Sequence, residues 1–168
     1  PPEQANQWQA RVKTTLLQNR LRATVSYYDI TVSNVVREDP NRANFYVQNG
    51  EITSHGIETS ITAAPAPGLN LIAGYSYNES ENRKTDAEFQ GRRPVESGPK
   101  HLVNGWLRYR FSAGVLDGLG VGFGGNYASE NVVMNRETTG RFTLSSYTVL
   151  NASVSYDTPD FRVDLKVD

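Results

Sequence analysis

Leu69 to Asn78, LNLIAGYSYN, is the stretch whose reading decides the fold. Leu69, Leu71, Ala73, Tyr75 and Tyr77 are apolar or aromatic, while Asn70, Gly74, Ser76 and Asn78 are small or polar, with Ile72 the one exception. A period of two belongs to a strand, which sends alternate side chains to opposite faces, and about ten tilted residues of this kind cross the hydrocarbon of a membrane. A Leu-to-Tyr face opposite a polar one suits a barrel wall with lipid outside and water inside. One strand also fits the surface of a soluble sandwich, so the flanking sequence has to decide.

The composition leaves both open. The chain has 168 residues, a formal net charge of -1 and no cysteine, which removes disulfides, thiolate metal sites and a cysteine nucleophile. Near-neutral charge gives no electrostatic ground for a nucleic-acid partner. No apolar run approaches the roughly 18 residues of a spanning helix, and the N-terminal PPEQANQ lacks the organisation of a signal peptide. A mean hydropathy of -0.53 is compatible with a membrane barrel, whose apolar residues fall at every second position.

Strands recur on both sides of the central stretch. Trp8, Ala10, Val12, Thr14 and Leu16 alternate with Gln9, Arg11, Lys13 and Thr15; after the short turn 17–20, Leu21, Ala23, Val25 and Tyr27 alternate with Arg22, Thr24 and Ser26. Beyond Tyr28 the apolar parity changes to Tyr28, Ile30 and Val32, which fits either a bulge or a strand that has left the membrane. Residues 37–44 read as an exposed loop, and a strand from about Phe45 to Ala63 leads through the proline-set turn 64–68 into the central strand. The charged segment 79–100 reads as a long loop. Val103, Leu107, Tyr109 and Phe111 then oppose Asn104, Trp106, Arg108 and Arg110, and after SAGVLDG the apolar Leu119, Val121, Phe123 and Tyr127 oppose Gly120, Gly122, Gly124 and Asn126. Glycines on one face leave room for close neighbours. A polar loop from about Ser129 to Ser145 precedes a strand from Tyr147 to Tyr156, and DTPD reverses the chain into Phe161–Asp168, whose Arg162, Asp164 and Lys166 form a charged face.

The expected fold is therefore all-β: an antiparallel meander of about eight strands. Its connections alternate short and long, as transmembrane barrels do with tight periplasmic turns and longer extracellular loops. Aromatics gather at strand ends, Tyr27, Tyr75, Tyr77 and Tyr127 beside long loops and Tyr109, Phe111, Tyr156 and Phe161 beside short turns, as two interfacial girdles require. A complete small barrel keeps both termini in the periplasm, whereas here the first and last connections are short. The expectation is an arc of a larger barrel, without the C-terminal aromatic such barrels usually carry.

Four segments carry a family resemblance in their order and spacing: QWQARVKTTLLQNRLRATVSYYDITVSNVV, NGEITSHGIETSITAAPAPGLNLIAGYSYNES, PKHLVNGWLRYRF and SSYTVLNASVSYDTPDFRVDLKVD. Together they resemble the C-terminal part of the barrel of TonB-dependent outer-membrane receptors, most of all the ferric-siderophore branch, although Gln9 and Ala10 stand where that family more often has an acidic residue and a glycine. The resemblance implies that residues 1–168 are part of a barrel of the 22-stranded type in the bacterial outer membrane, without its plug domain and final strands. It implies active transport of a ferric siderophore, with iron as chelated cargo rather than cofactor. It also implies a TonB-type energy-coupling partner that works through the plug. A passive channel or adhesin barrel is the alternative within the membrane, and a soluble β-sandwich binding module the alternative outside it.

The residues offer no enzyme chemistry. His55 and His101 lie at no metal-ligand spacing and read as surface or lumen side chains, GxSxG does not occur, and the glycines of 120–125 lie inside a strand rather than before a helix. Arg108, Arg110, Arg162, Glu58 and Asp164 read as the charged inner face of a wall. Ligand contact falls to aromatics and arginines of the long loops, Phe45, Tyr46, Phe89, Arg92, Arg93 and Arg136, which can stack on or pair with an anionic chelate.

Overall fold

The computed structural model describes residues 2–39, 42 and 44–167. Ten strands follow one another: β1 (Gln4–Leu16), β2 (Leu21–Glu38), β3 (Tyr46–Ala66), β4 (Leu69–Lys84), β5 (His101–Arg110), β6 (Leu119–Ala128), β7 (Asn131–Arg136), β8 (Gly140–Leu144), β9 (Tyr147–Asp157) and β10 (Arg162–Val167). Eight form one antiparallel sheet in the order β1-β2-β3-β4-β5-β6-β9-β10, and β7-β8 is a separate hairpin. Among the described residues no helix is long and apolar enough to cross a membrane.

Cross-strand register fixes the two faces, because residues directly opposite each other share one. One row runs Val25, Thr59, Tyr75, Val103, Tyr127 and Thr148 across the wall; the next on the other face runs Ser26, Glu58, Ser76, Leu102, Ala128 and Tyr147. The apolar face is not covered. Val12 is 69% exposed, Phe123 59% and Leu165 69%, whereas the buried hydrophobic residues among those described are only Ala63, Ala128 and Val132. In water each such large side chain would forgo about 1.5–3 kcal/mol of burial. The solvent that accepts this face is hydrocarbon, and backbone pairing along the sheet meets the demand lipid makes of a spanning chain.

Several sequence expectations are corrected in extent. β4 continues to Lys84, six residues into the expected loop, and β3 begins at Tyr46 and persists to Ala66 across a register shift between Ala63 and Ala66. The polar loop after Ser129 contains the hairpin β7-β8. The parity change at Tyr28 is not a bulge: β1-β2 pairing runs unbroken from Leu16↔Leu21 to Gln4↔Ser33, and irregularity comes only between Ser33 and Val36. Tyr28 instead turns inward because its partner is Gly56, where an added Cβ would lie 2.5 Å from the tyrosine hydroxyl. β2 and β3, at 18 and 21 residues, exceed the roughly ten a membrane requires, so their upper ends stand in water.

The short turns are set by the residues that can take positive φ. Gly68 (φ 80°) and Gly118 (φ 87°) each occupy a space in which a Cβ would meet a backbone oxygen, of Arg110 at 2.2 Å and of Asp157 at 2.3 Å.

Candidate functional site

The aromatics at the strand ends make ring contacts with one another. Near the upper end Trp8 and Tyr27 meet edge to face at 5.7 Å, while the Tyr75 and Tyr77 rings flank His101 at 6.1 and 5.1 Å. The Tyr75 hydroxyl and His101 Nδ1 are 2.9 Å apart. Near the lower end Tyr109 packs edge to face on Phe111 at 4.8 Å, and Tyr156 lies 6.4 Å from Phe161. Tyr127 faces outward in the row of Tyr75. Trp8 and His101, which the sequence reading did not place with these aromatics, join their contacts. The signal for His101 was its register with Tyr77, which needs the pairing to be known.

The inner face is polar and cross-linked. Arg11 Nε donates to Ser26 Oγ at 3.1 Å, and Asn78 Nδ2 donates to the Tyr28 hydroxyl at 2.9 Å. At its lower end Asp157 lies within 4 Å of three arginines, Arg108 (3.8 Å), Arg110 (3.9 Å) and Arg162 (3.7 Å). Trp106, also on this face, packs against the glycines of β6: an added Cβ at Gly122 would lie 2.5 Å from its Cζ2. No group of three His, Cys, Asp or Glu side chains that could hold a metal occurs among the described residues.

Above the membrane the long connections are tied together. Asp86 pairs with Arg37 of β2 at 3.0 Å, Glu88 accepts from Thr138, and the Glu137 backbone N–H donates to the Glu88 carbonyl at 3.0 Å. The loop between β4 and β5 therefore bridges the β2-β3 hairpin and the β7-β8 hairpin. Of the six expected ligand residues, Phe89 and Arg136 come together, with the guanidinium 5.3 Å from the ring centroid. Phe45 and Tyr46 stand 60% and 67% exposed at the start of β3. Arg92 is engaged by Glu137 and by Asn135 Oδ1.

Arg93 is placed differently from a free loop arginine. It is 8% exposed, and its guanidinium donates to the Asn78 carbonyl and Oδ1, both at 2.9 Å, and to the carbonyls of Gly98 at 3.1 Å and Ser97 at 3.4 Å. Burial pushes its pKa down from the ordinary arginine value, opposed by the nearby Glu79 charge. Asn135 Nδ2 donates to the Arg93 carbonyl at 3.1 Å, so this one residue joins β4, its following loop and β7.

Comparison with known proteins agrees with this architecture. Residues 1–168 match the family described as TonB dependent receptor-like, beta-barrel. The chain is 32% identical over 156 residues to the ferrichrome outer membrane transporter/phage receptor of Escherichia coli, covering 93% of this chain and 20% of that protein. It is 31% identical over 157 residues to the ferrioxamine B receptor of Salmonella typhimurium, with 93% and 22% covered. Among solved structures, the pyoverdine outer membrane receptor FpvA of Pseudomonas aeruginosa superposes with a TM-score of 0.81 at 21% identity, over 99% of this chain and 25% of that one. The ferric-catecholate import receptor Fiu of E. coli gives 0.80 at 21% identity, covering 99% and 23%. The chain thus spans about a fifth to a quarter of the proteins it resembles.

Proposed function

The chain belongs to the TonB-dependent receptor β-barrel family and lies in the bacterial outer membrane, and from that membership we propose that it is a wall section of a receptor that takes up a ferric siderophore. The observation that carries the reading is the family match over the whole chain, joined to relatives named for ferrichrome and ferrioxamine B.

In this reading the wall supplies three things. Its outward face holds the section in lipid. Its inner face, with Arg11, Glu58 and the arginines around Asp157, presents charge to whatever fills the lumen. Its upper loops present Phe45, Tyr46, Phe89 and Arg136 to ligand; the Arg136 guanidinium over the Phe89 ring offers an anionic chelate a cation and an aromatic edge together. Arg92 and Arg93 act by holding that surface in place. The energy-coupling partner reaches the receptor through a plug domain, not through these residues.

The test is uptake of iron-loaded siderophores by a strain lacking its own receptors and carrying the full-length parent gene, with and without TonB. Saturable uptake of at least one chelate that stops without TonB is expected. Uptake indifferent to TonB identifies a passive channel and overturns the proposal.

A further inference from the structure

The lumen face of β6 is bare over three successive inward positions, Gly120, Gly122 and Gly124. Their rung partners are Arg110, Arg108 and Trp106 on β5, and Ser155, Ser153 and Asn151 on β9. Two planar groups from β5 lie down across this strand. The benzo ring of Trp106 spans two glycines: a Cβ added at Gly122 would lie 2.5 Å from its Cζ2, and one added at Gly124 2.6 Å from its Cε3. The Arg108 guanidinium covers the third, with Nη2 3.3 Å and Nε 3.5 Å from a Cβ built at Gly120, and Nη2 donates across to Ser155 Oγ on β9 at 3.1 Å. One side of each plane rests on the wall and the other is turned to the lumen. Trp106 is half-buried, and the Arg108 side chain is 30% exposed.

The strip is cationic as well as flat. Arg108, Arg110 and Arg162 share Asp157, and Asp164 lies 2.6 Å from Arg162, so these guanidiniums outnumber the carboxylates between them. The same sign holds farther along the lumen face, where Arg11, Lys13 and Arg22 are opposed by Glu58, although the whole chain carries a formal charge of -1. Fixed charge of one sign in a walled space draws in ions of the other. Down the wall from His101 to Arg110, β5 presents the indole first and the guanidiniums below it. An indole face stacks on a flat ring, and a guanidinium pairs with anionic oxygens. An aromatic ring bearing anionic oxygens satisfies both at neighbouring points. With glycine, serine and asparagine on β6 and β9, the strip also stands low in relief and leaves clearance for a body that moves along it.

We propose that Trp106 and Arg108 form a second station for the cargo inside the lumen, below the loop surface, and that it takes a chelate whose iron ligands are catecholates. The ring stacks on the indole while the anionic oxygens face the guanidiniums. The inference rests on the siderophore reading and narrows its cargo.

The experiment uses the full-length parent receptor in a strain lacking its own receptors, with a synthetic ferric tris-catecholate and a ferric trihydroxamate as probes. Equilibrium binding to chilled cells without TonB reads the outer surface, and the initial uptake rate at saturating chelate in cells with TonB reads passage. We expect uptake of the tris-catecholate, slowed about fivefold by each of Trp106→Leu and Arg108→Gln, the scale of one aromatic or charge-assisted contact, with the surface Kd unchanged. Trp106→Tyr and Arg108→Lys should retain most of the rate, and heat-modifiable gel migration establishes that every variant is a folded barrel. Unchanged rates in both Trp106→Leu and Arg108→Gln overturn the proposal. So does equal slowing of both chelates, which makes the pair mere packing, or a Kd weakened by the same factor, which moves the contact to the loops. Entry of a large antibiotic that the unaltered receptor excludes shows that the pair holds a plug, and overturns it equally. Uptake confined to chelates without aromatic donors overturns this inference and leaves the siderophore reading standing, whereas no TonB-dependent uptake at all overturns both.

Discussion

Trp106 of β5 packs against Gly124 of β6 so closely that a Cβ added at Gly124 would lie 2.6 Å from the indole Cε3 and 2.2 Å from the Gly105 carbonyl oxygen. At Gly122 the added atom would instead meet side chains, Trp106 Cζ2 and Ser153 Oγ, each at 2.5 Å. The two glycines thus predict different outcomes. Gly122→Ala and Gly124→Ala should each destabilise the barrel by about 1–3 kcal/mol, as overpacking does. Adding Trp106→Ala should relieve part of the Gly122→Ala loss and little of the Gly124→Ala loss, because the second clash is with backbone. Denaturant unfolding of the purified receptor in detergent checks this; equal relief at both sites would refute the packing account.

Arg93 predicts the order of the loop between β4 and β5. Arg93→Ala removes a buried donor from four acceptors and should cost about 2–3 kcal/mol locally, as for hydrogen bonds to a charged group. Limited proteolysis between Thr85 and Gly98 should become faster while the spanning strands stay protected. Arg93→Lys should rescue only partly, since an ammonium cannot reproduce the fork.

The pair at Glu79 carries a pH signature. Burial by itself raises this carboxyl, but hydrogen bonds from Lys100 and Tyr77, with the charges of Lys100 and Arg93, outweigh it and leave the pKa below 4.5. A carboxylate whose pKa is lowered on folding stabilises the fold above its unfolded value and loses that contribution as pH falls through the folded one. Stability should therefore be level from neutral pH down to about 4.5 and decline below it, and Glu79→Gln should flatten the decline. Thermal unfolding of both proteins across pH 3 to 7, on the order of the carboxylate range, tests it.

Phe89 and Arg136 predict ligand affinity in the receptor reading. Arg136→Ala and Phe89→Ala should each weaken binding of the transported chelate about three- to tenfold, the scale of a cation–π contact and its aromatic partner. The double variant should lose less than the sum because the two groups act as a unit. Fluorescence quenching titration with the ferric chelate measures both, and an unchanged Kd in both single variants would remove this pair from the ligand surface.

The wall was legible because lipid enforces its alternation: a residue such as Leu71 or Val121 facing hydrocarbon leaves a mark at every second position. The hairpin β7-β8 was not, since Asn131, Val132, Val133 and Met134 do not alternate cleanly and its pairing is itself interrupted between Val132 and Met134. The role of Arg93 was equally hidden, because its acceptors are mostly backbone carbonyls, which any sequence possesses. Phe89 and Arg136 were each visible as loop residues, but 47 positions apart in sequence, and only the fold brings them together.

The main sheet skips β7-β8 altogether: β6 pairs directly with β9, and Ala128 stands opposite Tyr147, the two residues that flank the excursion. Everything from 129 to 146 thus leaves the wall and returns to it at neighbouring points of one rung. Such an excursion is a cassette. It can lengthen, shorten or be exchanged without shifting a single ladder hydrogen bond below it, so the excursion is free to diverge while the part that meets the membrane stays fixed.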